Sequence, residues 1–372
     1  MYLFIRGSTN PGPRVTRIID YFSLRKKRIV YLSPYRKGDL PSPNYRDLGG
    51  LGEYDYFDGS GIFSYLCFIL KVNWLIAKII FIRRKEIEFV HFSDLEVVLL
   101  GGIICRFLGI RFVYNIHDNY FQRYDVGRFM AAVLKYFESI YIFLSNKTLV
   151  PEVFRKECYP RFLQGKIFVL RNYPAFDVST SHIPFNGNVI TLFYGGWVSE
   201  NRSIGYFFDL AAGLIENGYL VQFNLCGWGN RPYIDRLSES FAELGVSFNY
   251  LGQLSQVEAV SHLKEADISI AYYSPDRVIN IFAASNKIPE IIGSSTILVT
   301  NEQTEIAKKI LPYNISLQFD SLVSEIMEEL LLLIRDKHLT TKFVSRASKF
   351  YMDEYNPQKL ANEMEKIFCE YN

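Results

Sequence analysis

Glycines at the ends of predicted strands mark the part of this sequence that could do chemistry. Gly195 and Gly196 end one strand, Gly227 follows another, and a helix is predicted after each of them. Glycine lets a phosphate approach the backbone N–H groups at the start of a helix, and Arg202 adds a positive charge beside the first of these turns. The run 285–290 (SNKIPE) supplies a further cation and a carboxylate. Together these residues indicate one face of a nucleotide-sugar site.

Strands and helices alternate along the whole chain, and this alternation predicts α/β units with parallel sheets covered on both faces. The first half has strands at 2–6, 28–33, 88–92, 111–115, 147–150 and 166–170, with helices at 14–24, 61–82, 95–108 and 128–144. The second half has strands at 188–194, 220–226, 247–251, 268–273 and 296–300.

Length and one break in the alternation predict two domains. A chain of 372 residues, of which 49% are hydrophobic, is long enough to form two doubly wound domains with their own cores. Residues 174–188 are rich in Pro, Ser, Thr, Asn and Gly and are typical of a linker. We therefore expect a first domain over 1–178, a second over 179–356, and a terminal helix over 357–372 that returns to the first.

Composition narrows the range of partners. A net charge of +2 argues against a dedicated nucleic-acid-binding protein. The five cysteines are scattered without metal-binding spacing and are typical of a reducing compartment. The first residues, MYLFIR, lack a basic segment and a cleavage site, so we expect a cytoplasmic protein without a secretion signal.

One apolar segment suggests contact with a membrane. Residues 61–82 are apolar apart from Lys71, Asn73 and Lys78, and the basic run 83–85 (RRK) follows them. These polar side chains favour an amphipathic helix that packs on the domain and touches a membrane surface over a true membrane span. A helix wholly buried in the domain is the other interpretation.

Several short motifs, weak alone, occur in a characteristic order and spacing. They are 114–118 (YNIHD), 168–174 (FVLRNYP), the 195–202 loop, 251–254 (LGQL) followed by Glu258, 266–270 (ADISI) and 286–290 (NKIPE). With them the chain resembles, over nearly its full length, the retaining glycosyltransferases of family 4. The resemblance implies the GT-B fold, in which two Rossmann-like domains face a cleft, the second domain holding the nucleotide-sugar donor and the first the acceptor.

The resemblance also implies how the donor is bound. Glu290 would accept hydrogen bonds from both ribose hydroxyls, and Arg202 would neutralise the diphosphate leaving group. The sequence departs from the family at two positions: Gly196 stands in place of a companion arginine, and Phe282 in place of a glutamate that contacts the donor sugar. Sugar contacts would then come from backbone N–H groups of 284–287 or from other side chains. The donor-binding residues implied in this way are Gly195, Gly196, Arg202, Gly227, Ser285, Asn286, Lys287 and Glu290.

In the first domain the resemblance implies that His117 faces the donor sugar and takes part in catalysis together with Arg202. Asp118 would bind a proton or an acceptor hydroxyl, and Arg14 would bind a phosphorylated acceptor. The segment 7–14 (GSTNPGPR) lacks a G-x-G-x-x-G pattern, which weakens an NAD-binding interpretation. Ordinary structural roles remain open for each of these residues, such as a histidine at a strand end or an exposed arginine.

The sequence therefore predicts a GT-B glycosyltransferase that transfers a sugar with retention of configuration. The acceptor would be a glycan or polyprenyl-linked chain of a surface polysaccharide such as capsule or O-antigen. No Asp-x-Asp motif occurs in the chain, so we expect no metal and no cofactor beyond the nucleotide-sugar substrate. The alternatives are an inverting GT-B transferase, an epimerase, or a catalytically silent GT-B scaffold that binds another glycosyltransferase.

Overall fold

The chain forms two compact units in the computed structural model, which describes residues 1–8, 10–36, 53–54, 61–174, 182–200 and 204–371. The first unit comprises Met1–Asn172 with Leu360–Asn372, and the second comprises Tyr173–Lys359. Each contains a six-stranded parallel sheet with helices on both faces. The boundary between the units falls at the start of the predicted linker, of which residues 175–181 lie outside the described part of the chain.

The sheet of the first unit has the strand order β2-β1-β5-β6-β7-β8. Its strands are β1 (Tyr2–Arg6), β2 (Ile29–Leu32), β5 (Phe89–Ser93), β6 (Arg111–Asn115), β7 (Lys147–Val150) and β8 (Ile167–Val169), and a separate two-stranded pair is formed by β3 (Tyr35–Arg36) and β4 (Glu53–Tyr54). Its helices are α1 (Gly12–Leu24), α2 (Gly61–Ile82), α3 (Leu95–Leu108), α4 (Tyr120–Arg123), α5 (Arg128–Leu144), α6 (Val153–Glu157) and α15 (Pro357–Phe368). The order of strands reverses between β1 and β5.

Two cores hold this sheet. On one face α1 and the C-terminal α15 pack against the strands through aromatic side chains, including Phe22 and Phe368 with ring centroids 5.3 Å apart. On the other face lie α2, α3 and α5. The Tyr2 hydroxyl donates to the carbonyl of Tyr371, and Arg25 pairs with Glu365 at 2.6 Å. The C-terminal helix therefore returns to the first unit, as predicted.

The sheet of the second unit has the order β11-β10-β9-β12-β13-β14. Its strands are β9 (Val189–Gly195), β10 (Leu220–Cys226), β11 (Ser247–Tyr250), β12 (Ile268–Ala271), β13 (Ile297–Asn301) and β14 (Leu317–Phe319). Its helices are α7 (Ile204–Glu216), α8 (Arg231–Glu243), α9 (Gln256–Lys264), α10 (Val278–Ile281), α11 (Lys287–Gly293), α12 (Glu305–Ile310), α13 (Met327–Arg335) and α14 (Lys337–Tyr355). The reversal falls between β9 and β12, which pair directly through Leu192 and Ile268.

The predicted strands are all present, with ends that differ from the prediction by at most two residues. Helix α1 begins at Gly12 rather than at Arg14, because Pro13 stands in its first turn, where proline fits without loss of a hydrogen bond. The short strand β14 was not predicted. It is three residues long and contributes Leu317 and Phe319 to the core of the second unit.

Candidate active site

A cavity of ≈420 Å³ opens in the second unit where the strand order of its sheet reverses. Connections leave β9 and β12 in opposite directions at this point, and doubly wound sheets bind ligands in the resulting crevice at the carboxyl ends of the strands. Six of the predicted donor-binding residues line the cavity: Gly195, Gly196, Gly227, Asn286, Lys287 and Glu290. Ser285 and Phe282 are not among its lining residues, and Arg202 lies outside the described part of the chain.

Two glycine turns form one wall of the cavity by direct contact between backbones. Gly196 has φ +138° and Gly227 φ +136°, a region that side chains other than glycine rarely adopt. A Cβ atom added to Gly227 would lie 1.7 Å from the carbonyl oxygen of Gly196, which is far inside van der Waals contact. The N–H of Gly196 donates to Cys226 and that of Gly227 to Gly252, at 3.0 and 2.8 Å. Glycine is therefore required for the approach of the two loops.

Lys287 brings a positive charge to the first of these turns. Its Nζ lies 4.0 Å from the centre of the Tyr194 ring and 3.2 Å from the position of a Cβ added to Gly196. Burial raises the pKa of the neighbouring Cys226 thiol to about 11, and Lys287 opposes that rise. Lys287, the first residue of α11, therefore places an ammonium group beside the Gly196 turn.

The start of α11 carries three further predicted residues. The Ser285 hydroxyl accepts a hydrogen bond from the N–H of Lys287 at 3.1 Å. The Oδ1 atom of Asn286 is buried and has no hydrogen-bond partner among the described residues. Glu290 accepts from Nε2 of Gln256 at 2.7 Å, which fixes one of its carboxylate oxygens.

Sequence reasoning missed Gln256 and Trp228, both of which line the cavity. Gln256 is the first residue of α9, a helix capped by Ser255 and Glu258, so the S-x-x-E capping pattern could have located it. Trp228 follows Gly227 directly in the chain, and 57% of its surface is exposed. It offers a flat apolar surface at the edge of the cavity.

In the first unit, Asp94 holds His117. The Asp94 carboxylate accepts the backbone N–H of His117 at 2.9 Å and lies 3.4 Å from its ring Nδ1. Burial raises the pKa of Asp94, but His117 and Arg6 lower it more, so that the pKa lies well below its usual range. Burial lowers the pKa of His117, and Asp94 opposes this shift only in part. The arrangement favours an ionised Asp94 beside a neutral imidazole at neutral pH.

Two buried arginines donate hydrogen bonds to the backbone of the loop that carries His117. Arg14 is only 3% exposed and donates from Nη2 to the carbonyl of Ile116 at 2.9 Å, while its Nε and Nη1 have no hydrogen-bond partner among the described residues. Burial lowers the pKa of Arg14 to about 9. Arg155 donates to the carbonyl of His117 at 3.0 Å and pairs with Asp118 at 2.8 Å. Asp94 and Arg155 had no signal in the sequence, because each is brought to His117 only by the sheet.

A group of three or more histidine, cysteine, aspartate or glutamate side chains suited to a metal ion is not found among the residues that the structure describes.

Comparison with known proteins identifies the fold. No family model matches the sequence, and no curated protein matches it. Among solved structures, sucrose-phosphate synthase from Thermosynechococcus elongatus matches with a TM-score of 0.69 and 10% identity, over 99% of this chain and 98% of that one. HepE of Anabaena in complex with UDP matches with a TM-score of 0.64 and 13% identity, over 99% of both chains. A glycosyltransferase from Rickettsia africae matches with a TM-score of 0.67 and 14% identity, over 100% and 97%. The GT-B fold expected from the sequence is confirmed.

Proposed function

We propose that the protein is a metal-independent glycosyltransferase that moves a sugar from a nucleotide donor to a glycan or lipid-linked acceptor, with retention of configuration. The observation that carries this proposal is the cavity at the strand reversal of the second unit, with a cation at its glycine turn and a carboxylate beside it. Similar solved structures of the same fold include HepE with UDP and with UDP-glucose, so a uridine nucleotide is the first donor to test.

The donor would lie with its diphosphate at the Gly195–Gly196 turn. The ammonium of Lys287 would stabilise the negative charge that develops on the leaving diphosphate, and Arg202 would add a second positive charge. The ribose would lie against Glu290, a carboxylate that lines the cavity and accepts a hydrogen bond from Gln256 at 2.7 Å. Trp228 offers a surface on which a base or sugar could stack.

The first unit would bind the acceptor and complete the reaction. A neutral His117, held by Asp94, would face the donor sugar, and Asp118 would accept from an acceptor hydroxyl. The buried Arg14 has two nitrogen atoms, Nε and Nη1, without partners among the described residues, which supports a role toward a phosphorylated acceptor. Synthesis of a surface polysaccharide would place the protein in the cytoplasm, peripheral to the membrane, with contact through residues 61–85.

A thermal-shift screen tests the donor. Selective binding raises the melting temperature by mass action, so one of UDP, GDP, CDP, ADP or dTDP and its sugar conjugates is expected to stabilise the protein above the others. The selected nucleotide sugar is then incubated without acceptor, and the anomer of the released sugar is followed by NMR; retention gives the donor's own anomer first. Binding without any turnover would favour the silent scaffold, for which the loss of the family's glutamate at Phe282 is the specific observation. No stabilisation by any nucleotide at millimolar concentration would contradict the donor site.

A further inference from the structure

Three helices of the first unit present apolar side chains to solvent on the surface that faces away from the sheet. The strongest cases are Phe63 on α2 at 76% exposure, Phe107 on α3 at 86% and Phe129 on α5 at 81%. We call this surface the three-helix face, and its large exposed apolar residues are Phe63, Leu66, Leu70, Trp74, Phe81, Ile82, Leu100, Ile103, Phe107, Phe129, Met130, Tyr136, Phe137 and Phe143. Apolar surface of this extent marks an interaction site.

The three helices lie side by side, which makes the face continuous. Helix α3 is the middle one and touches both neighbours through adjacent glycines. A Cβ atom added to Gly101 would lie 2.8 Å from Ile76 of α2, and one added to Gly102 would lie 3.3 Å from Tyr141 of α5. The opposite sides of all three helices are buried in one core against the sheet. The apolar residues therefore form one surface rather than three separate stripes.

The charges on these helices have one sign. The exposed charged side chains of α2, α3 and α5 are all basic: Lys71, Lys78, Arg106 and Arg128. The two acidic residues of the same helices point inward. Glu96 is 12% exposed and pairs with Arg123 at 2.9 Å, and Glu138 is fully buried. A positively charged apolar face is complementary to an anionic bilayer surface.

We infer that the whole three-helix face docks on an anionic lipid bilayer, with the apolar side chains in the interface and the lysines at the headgroups. This rests on the proposed membrane contact of residues 61–85 and extends it to α3 and α5. Lysine is depleted at protein–protein interfaces, yet Lys71 and Lys78 lie within the apolar stripe of α2. Long lysine side chains can instead reach from an apolar environment to lipid headgroups, and Lys78 already lies 5.2 Å from the ring of Trp74.

The contact is peripheral rather than spanning. Phe63–Ile82 is long and apolar enough to cross a membrane by length and composition, with a mean hydropathy of 1.9, and 28% of its most apolar stretch is buried. The buried side of α2, however, carries Phe68, Val72, Ile76 and Ile80, which belong to the core of the first unit. Inserting α2 across a bilayer would remove these side chains from that core, whereas docking leaves them in place.

Vesicle co-sedimentation of the full chain tests the inference without nucleotide or acceptor, so its failure leaves the donor site standing. Binding is expected to rise with the fraction of phosphatidylglycerol and to fall with salt. Phe107→Ser on α3 is expected to lower partitioning about tenfold, since an aromatic side chain no longer enters the interface. Lys71→Gln with Lys78→Gln is expected to lower it about fivefold for each lost charge at low salt. The control is Leu332→Ser on α13 of the second unit, a residue 59% exposed, which should leave binding unchanged.

Three results would overturn the inference. The first is no sedimentation with anionic vesicles at millimolar lipid. The second is unchanged binding in Phe107→Ser, which would confine the contact to α2. The third is a dimer in light scattering that Phe107→Ser dissociates while vesicle binding is absent, which would assign the face to a second copy of the chain. Circular dichroism melts of each variant establish that folding is retained, which the exposure of the substituted side chains leads us to expect.

Discussion

Replacing Lys287 by glutamine removes the one cation that the structure shows at the Gly196 turn of the cavity, within the described part of the chain. If this ammonium neutralises the leaving diphosphate, its contribution grows in the transition state. Loss of one such donor typically costs about 2.7–4 kcal/mol, or about 10²–10³ in kcat. Loss of its contact with the Tyr194 ring costs about 0.5–1 kcal/mol of stability, so the variant is expected to fold.

Ligand binding separates the phosphate role from a structural one. A hydrogen bond to a charged group is worth about 1.5–3 kcal/mol, so the Kd of the selected nucleoside diphosphate is expected to rise about 10- to 150-fold in Lys287→Gln. The Kd of the matching nucleoside, which has no phosphate, should stay the same. Calorimetry measures both, and donor hydrolysis measures kcat. Lys308→Gln serves as control, because Lys308 is an exposed lysine of the same unit that pairs with Glu305. Wild-type turnover in Lys287→Gln, or equal weakening of nucleoside and diphosphate, would refute the reasoning.

Further predictions concern the ribose, the glycine contact and the histidine. Glu290→Gln is expected to weaken binding of the ribonucleotide by about 1.5–3 kcal/mol while affecting the 2′-deoxy analogue less, as measured by calorimetry; equal losses would exclude a ribose contact. Gly227→Ala is expected to cost about 3 kcal/mol or more in urea unfolding, whereas Gly245→Ala, which has φ +85° but open space around it, should cost about 1 kcal/mol. Asp94→Asn removes the charge that raises the pKa of His117, so the pKa followed by NMR should fall further; a higher value would contradict the assigned contact. The pKa of His117 is lower in the folded protein than its ordinary value of about 6.5, so the unfolded state takes up its proton first as the pH falls. The free energy of unfolding is therefore expected to decrease as the pH falls below about 6.5.

Local patterns in the sequence determined most of the secondary structure. Strands such as Tyr2–Arg6 and Ile297–Asn301 are short, mainly apolar runs, and helix Leu95–Leu108 ends at Gly109, which has the left-handed conformation typical of helix ends. Such features depend on neighbours within a few residues, so they can be recognised without the fold. Strand β14 could not be recognised from such local features, because its three residues form a strand only by pairing with β13.

The composition of the candidate site was only partly available from the sequence. Gly195, Gly227 and the 286–290 run could be recognised because strand ends and helix starts are local features that parallel sheets bring to one edge. The sequence named Lys287 as a donor-binding cation, but its placement against Tyr194 and Gly196 came only from the structure, because it depends on the packing of α11.

In the first unit, too, the sequence indicated single residues, and the tertiary structure decided which of them come into contact. The sequence singled out His117 at the end of its strand, but the tertiary structure decided that Asp94 holds its ring and that Arg14 lies buried below its loop. Contacts between residues far apart in sequence arise from the order of strands in the sheet and from packing, which no local pattern encodes. The sequence alone therefore determined which residue types stand at the strand ends, and only the tertiary structure decided which of them meet, because those meetings depend on long-range packing.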